Sequence, residues 1–316
     1  VADSLRNLDL NLLLQLDALL HERNVTRAAH RLGLSQPAVS AGLARLRRHF
    51  GDELLLRRGN RYELTELAGQ LAARVPAAVE EVRRVFDATP GFDPSTSQRE
   101  FTLVVSDYTA TILGPPLAAA IAAEGPDVRL RLHQQSLDHV ENAAQTLRSF
   151  DGLVLPHGFL VDVPSVPVYD DEWVCIVSPD AQVGSRLTMD DVRRLRWAVT
   201  YHRPTAYTPA VQQLRALGVE PSLELVTESF LALPFVVAGT DRIALIQRRL
   251  ATLLADAAGV RVLECPWDVV PLKQSLWWHP IYRADPGHRW LRGLVAQVGE
   301  RINAAEIRWL VRGSDA

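Results

Sequence analysis

The stretch "RAAHRLGLSQPAVSAGLARLRRHFG", Arg27 to Gly51, reads as helix, glycine turn, helix. Thr26 can cap the first helix, and Ala28 and Ala29 are small enough for another helix to cross closely. Gly33 stands where a left-handed residue ends a helix at little cost. Ser35 then caps the second helix, with Pro37 in its first turn, where a missing N–H is harmless. Val39, Leu43, Leu46 and Phe50 recur at helical spacing and share an inward face. Gln36, Ser40, Ala44 and Arg47 lie on the opposite face. A packed back and a polar N-terminal front are what a base-reading helix needs, because its first residues meet base edges in the major groove.

The bulk charge conceals this segment. The chain has 316 residues and a formal charge of -3. Arg23 to Arg61 holds nine arginines (Arg23, Arg27, Arg31, Arg45, Arg47, Arg48, Arg57, Arg58, Arg61) against only Asp52 and Glu53, a balance of +7 that leaves -10 for the remainder. One basic module on an acidic body is the asymmetry of a nucleic-acid-binding head. The length predicts two or three domains, and 47% hydrophobic with 22% charged residues is ordinary for a soluble globular protein. The two cysteines, Cys175 and Cys265, are far apart in sequence, show no metal or redox spacing, and read as small buried hydrophobes in a reducing compartment. No signal peptide and no membrane-spanning run are read, so a soluble cytoplasmic, nucleoid-associated protein is expected.

Outward from the quoted stretch, Asp9 is placed to cap a leucine-rich helix to about His21. "DELLLRRGNRYELT" has the composition of a hairpin or wing with arginines at its tip. Thr65 to about Ala88 returns to helical spacing without an obvious core of its own, so it is expected to pair with another protomer. "TPGFDPSTSQR" reads as a linker. From Glu100, strands alternate with helical stretches, the signature of parallel α/β layers. "TILGPPLAAAIAAE" reads as a helix interrupted near its start by Pro115 and Pro116, "SLDHVENAAQTLRSF" as a helix, and "YDDEWVCIVSP" as one long strand.

"NVTRAAHRLGLSQPAVSAGLARLRRHFGDELLLRRGNRYELTELAG" resembles the N-terminal winged helix-turn-helix of LysR-type transcriptional regulators. The later segments "TESFLALPFVVAGTDRIALIQRRLA" and "WWHPIYRADPGHRWLRGL" look like the branch with nodulation and aromatic-degradation regulators. The resemblance implies an α+β multidomain chain. A winged helix-turn-helix DNA-binding domain would span residues 1–66, and a dimerisation linker helix and hinge 67–99. A two-lobed α/β effector domain, like periplasmic binding proteins, would span 100–316. Lobe one would combine about 100–167 with 271–300, and lobe two would be 168–270. The implied partners are double-stranded promoter DNA, a small-molecule effector with aromatics among the candidates, a second copy (as a dimer or dimer of dimers), and RNA polymerase.

On the head, Gln36 can bond an adenine edge, Pro37 and Ala41 can lie against a thymine methyl, and Ser40 can reach a base or a phosphate. Arg45, Arg47, Arg48, Arg57, Arg58 and Arg61 are assigned to phosphates, with Arg58 or Arg61 able to enter the minor groove. On the body, ligands of open α/β sheets bind beyond strand carboxyl ends, at helix N-termini. Ser106, Asp107, Tyr108 and Thr109 follow one strand, and Thr227, Glu228 and Ser229 follow another. Hydroxyls and free N–H groups there suit a carboxylate or phenol, although an inward Asp107 or Glu228 would oppose an anion; the plainer reading of Ser106 and Ser229 is a helix cap. Trp173 and Tyr201 are candidate cleft walls and His157 and His202 candidate ligand contacts, with core packing and a solvated loop as their plainer readings.

No nucleophile elbow, phosphate-binding loop, dinucleotide fingerprint or paired metal-ligand spacing appears, so no catalysis, cofactor or metal is expected. The rival is a small-molecule-binding protein or enzyme whose N-terminal helices serve only dimerisation.

Overall fold

The computed structural model describes residues 9–58, 61–72, 74–76, 78–79, 82, 91–200 and 208–305, with the side chains of Arg57 and Arg61 excepted. Two compact units result, residues 1–89 and 90–316.

In the first unit, α1 (Leu10–Glu22), α2 (Val25–Leu32) and α3 (Gln36–Phe50) precede a hairpin of β1 (Leu55–Arg58) and β2 (Arg61–Leu64), then α4 (Glu66–Ala72). Local chemistry sets the boundaries. Asp9 accepts from the Asn11 N–H, and Ser35 from the Ala38 N–H. Gly33 and Gly51 end α2 and α3 at φ 64° and 62°, where a side chain would be strained. The cap of α2 is Asn24, whose side-chain Oδ1 accepts from the Arg27 N–H at 2.9 Å, so the helix begins earlier than the Thr26 reading predicts. Val39, Leu43 and Leu46 are buried against Leu16, Leu19, Ala28 and Ala29, with Phe50 at the edge. Ala68, Val75 and Val79 join the same core, so this part of the expected linker helix packs on its own head; most of residues 73–90 lie outside the described set.

The second unit has two five-stranded sheets. Lobe one has the order β4–β3–β5–β12–β6, built from β3 (Glu100–Val105), β4 (Arg129–Gln134), β5 (Gly152–Pro156), β6 (Ser165–Asp171) and β12 (Leu272–Trp277). Lobe two has the order β11–β7–β10–β8–β9. Its strands are β7 (Trp173–Val177), β8 (Arg196–Thr200), β9 (Ser222–Thr227), β10 (Arg242–Gln247) and β11 (Arg261–Glu264). In lobe one β3 runs parallel to β4 and β5, while β12 is antiparallel to β5 and β6. In lobe two β8 runs parallel to β9 and β10, while β7 is antiparallel to β10 and β11. The chain crosses between lobes twice, after β6 and before β12.

Four expectations change here. "YDDEWVCIVSP" is two strands in different sheets, because the lobe crossing falls at Glu172. Lobe one accordingly runs on to Asp171, past the crossing expected near 167. Helix α5 (Asp107–Glu124) passes through Pro115 and Pro116 unbroken, wedged between β4 and the C-terminal helix α12 (Pro286–Ala304). The "SLDHVENAAQTLRSF" helix divides at Asn142 into α6 (Leu137–Glu141) and α7 (Ala143–Ser149), and α8 (Met189–Arg194), α9 (Pro209–Ala216), α10 (Leu233–Val237) and α11 (Arg248–Ala258) follow in lobe two. Cys175 and Cys265 converge because β7 and β11 are neighbours; their sulfurs lie 3.8 Å apart, and Cys175 is buried while Cys265 is half-buried.

Candidate functional site

Two sites emerge, one in each unit. On the head, α3 turns Gln36, Ser40, Ala44 and Arg48 outward in one row and Pro37, Ala41 and Arg45 in the next; all seven are exposed. Gly42, on the back of α3, faces Gln15 of α1 so closely that a Cβ there would meet its amide. Arg48 has no ion-pair partner among the described residues. Arg45 contacts Asp9 at 3.1 Å on the open surface. Arg47 works inside the head: its guanidinium donates to the carbonyls of Glu53 and Leu55 at 2.8 and 3.0 Å, tying the end of α3 to the start of the hairpin. Arg58 meets Glu63 across the hairpin at 3.1 Å. Asp52 accepts from the Leu54 N–H and the Thr65 hydroxyl, and Thr65 caps α4, so one carboxylate joins hairpin and helix.

In the second unit a cleft with a cavity of about 60 Å³ opens between the lobes. Its walls include Ser106, Tyr108, Val154, Phe159, Trp173 and Phe230, with Gln247 and Gln274 set among them. Of the expected residues, Ser106, Tyr108 and Trp173 line it. The Ser106 hydroxyl accepts from the Thr109 N–H and donates to the Thr109 hydroxyl, both at 3.1 Å, so these two cap α5. The Tyr108 hydroxyl donates to Asp171 at 2.6 Å. Asp171 also accepts from the Glu172 and Arg249 N–H groups at the lobe crossing. Burial pushes Asp171 above the usual carboxylate range, with the Tyr108 hydrogen bond opposing it. Burial likewise raises the Tyr108 phenol, so it stays protonated as the donor.

Asp107, Thr227, Glu228 and Ser229 gather around a separate, shallower hollow. Asp107 accepts from the Ser229 hydroxyl at 2.6 Å and from the Phe230 and Leu231 N–H groups at 3.2 and 3.1 Å. A lobe-one carboxylate therefore occupies the anion-receptive N–H groups of lobe two. Thr227 accepts from the Ser229 N–H, and Glu228 is exposed. His157 is exposed and stacks on Trp277, away from the cleft. Tyr201 and His202 lie outside the described residues.

Sequence reasoning missed Gln247 and Gln274. Each is a polar residue in a strand otherwise reading as core ("RIALIQ", "LKQSLW"), and that mismatch is the signal that could have found them. Gln247 faces Trp173 in the lobe-two sheet, and Gln274 faces Pro156 in the lobe-one sheet. No helix among the described residues is long and apolar enough to cross a membrane, and none of their acidic, histidine or cysteine groups clusters to hold a metal.

The model of bacterial regulatory helix-turn-helix proteins of the lysR family matches residues 10–69, and that of the LysR substrate binding domain matches residues 94–300. Nodulation protein D 2 of Rhizobium tropici is 31% identical, with 92% of this chain and 93% of the relative covered. Among solved structures, a probable transcriptional regulator from Pseudomonas aeruginosa superposes with a TM-score of 0.72 at 31% identity, covering 93% of this chain and 98% of that one. Full-length CbnR in complex with its target DNA shares the fold, with a TM-score of 0.64 at 15% identity, covering 93% of this chain and 100% of CbnR.

Proposed function

The chain belongs to the LysR family of bacterial transcriptional regulators, joining a DNA-binding head to an effector-binding body, and on that premise we propose that α3 is its recognition helix and the interlobe cleft its regulatory site. The observation that carries the first part is the division of α3, whose inner row is core and whose outer row is wholly exposed. Gln36, Pro37, Ser40 and Ala41 face base edges, and Arg45 and Arg48 face phosphates. Arg57, Arg58 and Arg61, on the hairpin strands, reach the backbone or minor groove beside them. Arg47 supports this face by holding the hairpin in place.

The protein acts by binding rather than catalysis, on cytoplasmic nucleoid DNA, with promoter DNA, a second copy and RNA polymerase as partners. Two copies place two recognition helices about one helical turn apart, or a multiple of it, on a near-palindromic site. An effector changes that arrangement only through unequal affinity for the two lobe positions.

Binding to an operator selected from random duplexes tests the recognition face. Gln36→Ala is expected to cost about 1–3 kcal/mol and to relax preference at one base position. Arg48→Ala weakens all sequences alike and lowers the slope of log affinity against log salt by about one per protomer. With roughly six phosphates contacted, affinity falls about a thousandfold between 50 and 200 mM salt. Unchanged affinity and base preference in Gln36→Ala would remove α3 from the interface.

A further inference from the structure

The polar groups of the cleft identify what it takes. Tyr108 is the one ionisable side chain among the described lining residues, and its hydroxyl is engaged by Asp171. Three other polar side chains are almost fully buried, Gln247 at 2%, Trp173 at 2% and Gln274 at 5% exposure. Gln247 Oε1, Gln274 Oε1 and Trp173 Nε1 have no hydrogen-bond partner among the described residues. A buried polar group left unpaired weakens the fold, so two carbonyls and one N–H unpaired at one cleft mark a place made for a ligand. The rest of the lining is mainly apolar, with Leu137, Phe159, Phe230 and Leu272 among it, and carries four further uncharged polar residues, Ser106, Gln135, Ser136 and Thr208.

We propose that the cleft takes an uncharged, flat, mostly apolar ligand that donates hydrogen bonds to Gln274 of lobe one and Gln247 of lobe two together, and accepts one from Trp173. This rests on the cleft being the regulatory site. Two features exclude an anion. Among the described residues no cation lines the cleft to repay the desolvation of a charge. The N–H groups of Phe230 and Leu231, where a carboxylate would sit, already serve Asp107. The bridging geometry gives the ligand its leverage, because both glutamines are satisfied together only in one lobe arrangement. Such a ligand binds that arrangement more tightly and shifts the population toward it.

Calorimetry on the full-length protein at pH 7 tests this with two matched probes, para,para′-dihydroxybiphenyl, whose phenols are neutral there, and para,para′-biphenyldicarboxylate. The diphenol is expected to bind and the dicarboxylate not. Gln247→Leu and Gln274→Leu should each weaken the diphenol about tenfold. Both variants should melt no lower than the wild type, since each loses an unpaired buried carbonyl, and this separates lost contact from lost fold. Tighter binding of the dicarboxylate would overturn the ligand class while leaving the cleft as the site. Diphenol binding indifferent to both substitutions, or no binding of either probe, would overturn the glutamine subsite. Leu137→Trp, which fills the cleft from α6, tests the reading underneath: undiminished binding there would remove the cleft itself.

Discussion

Gly299→Ala is expected to lower the melting temperature of the second unit by about 4–8 °C, while Gly293→Ala on the same helix raises it by about 2–4 °C. Alanine gains about 1 kcal/mol over glycine in a helix interior, so propensity favours both changes. Packing separates them. A Cβ on Gly299 would stand 1.7 Å from the carbonyl oxygen of Val168 and 2.5 Å from its carbon, in the backbone of β6. No rotamer relieves a clash with backbone, so α12 must retreat from the sheet and loosen Leu291, Leu294, Val295, Val298 and Ile302, all buried at that contact. Overpacking of this kind costs about 3 kcal/mol or more, which leaves a net loss of about 2. Gly293 is exposed, with nothing within 4 Å of its Cβ position. Scanning calorimetry of the two variants decides the matter: shifts of the same sign would mean that α12 does not rest on β6 at Gly299.

Acid should weaken the same lobe through His288. This side chain is fully buried, and burial pulls its pKa from 6.5 down to about 4, with the Arg292 guanidinium adding to the effect. Its neutral form fits both neighbours. Nε2 donates to the Asp151 carbonyl at 2.6 Å, and Nδ1 accepts from Arg292 at 2.8 Å. A second ring proton would point at a guanidinium. The unfolded chain therefore takes up a proton near pH 6.5 that the folded chain refuses until about pH 4. The contribution of neutral His288 is complete above pH 6.5 and is lost as pH falls through this window, about 3 kcal/mol by pH 4. His139, whose pKa is also lowered by burial, adds a loss of the same sign. His288→Gln keeps a donor and an acceptor but does not titrate. Its stability at pH 7 should be slightly lower and its decline between pH 6.5 and 4 about 3 kcal/mol shallower. Parallel pH profiles for wild type and variant, from denaturant unfolding, would remove His288 as the cause.

The head was almost entirely legible in the sequence. Asp9, Ser35, Gly33 and Gly51 act on backbone groups within a few residues, so their effect is written in the order of the chain. The one cap misread, Thr26 for Asn24, concerns two residues that can both serve, and the choice between them is geometric. The period of Val39, Leu43 and Leu46 likewise orients α3 without reference to anything distant. In the body the strands were legible as apolar runs, but the sheet each joins was not. "YDDEWVCIVSP" looks like one strand because both halves are strand, and only the buried contacts of Asp171 mark the crossing within it.

The sequence by itself therefore determined the family, the helix α3 with its buried and exposed rows, and the segregation of positive charge, since periodicity, caps and charge are short-range properties. Tertiary structure alone decided that Asp107 meets Ser229, that Tyr108 meets Asp171, that Cys175 lies beside Cys265, and that Gln247 and Gln274 share one cleft. Each of these pairs depends on strand order and on two crossings between lobes. Residues far apart in the chain become neighbours only through the whole topology, and no local pattern encodes it.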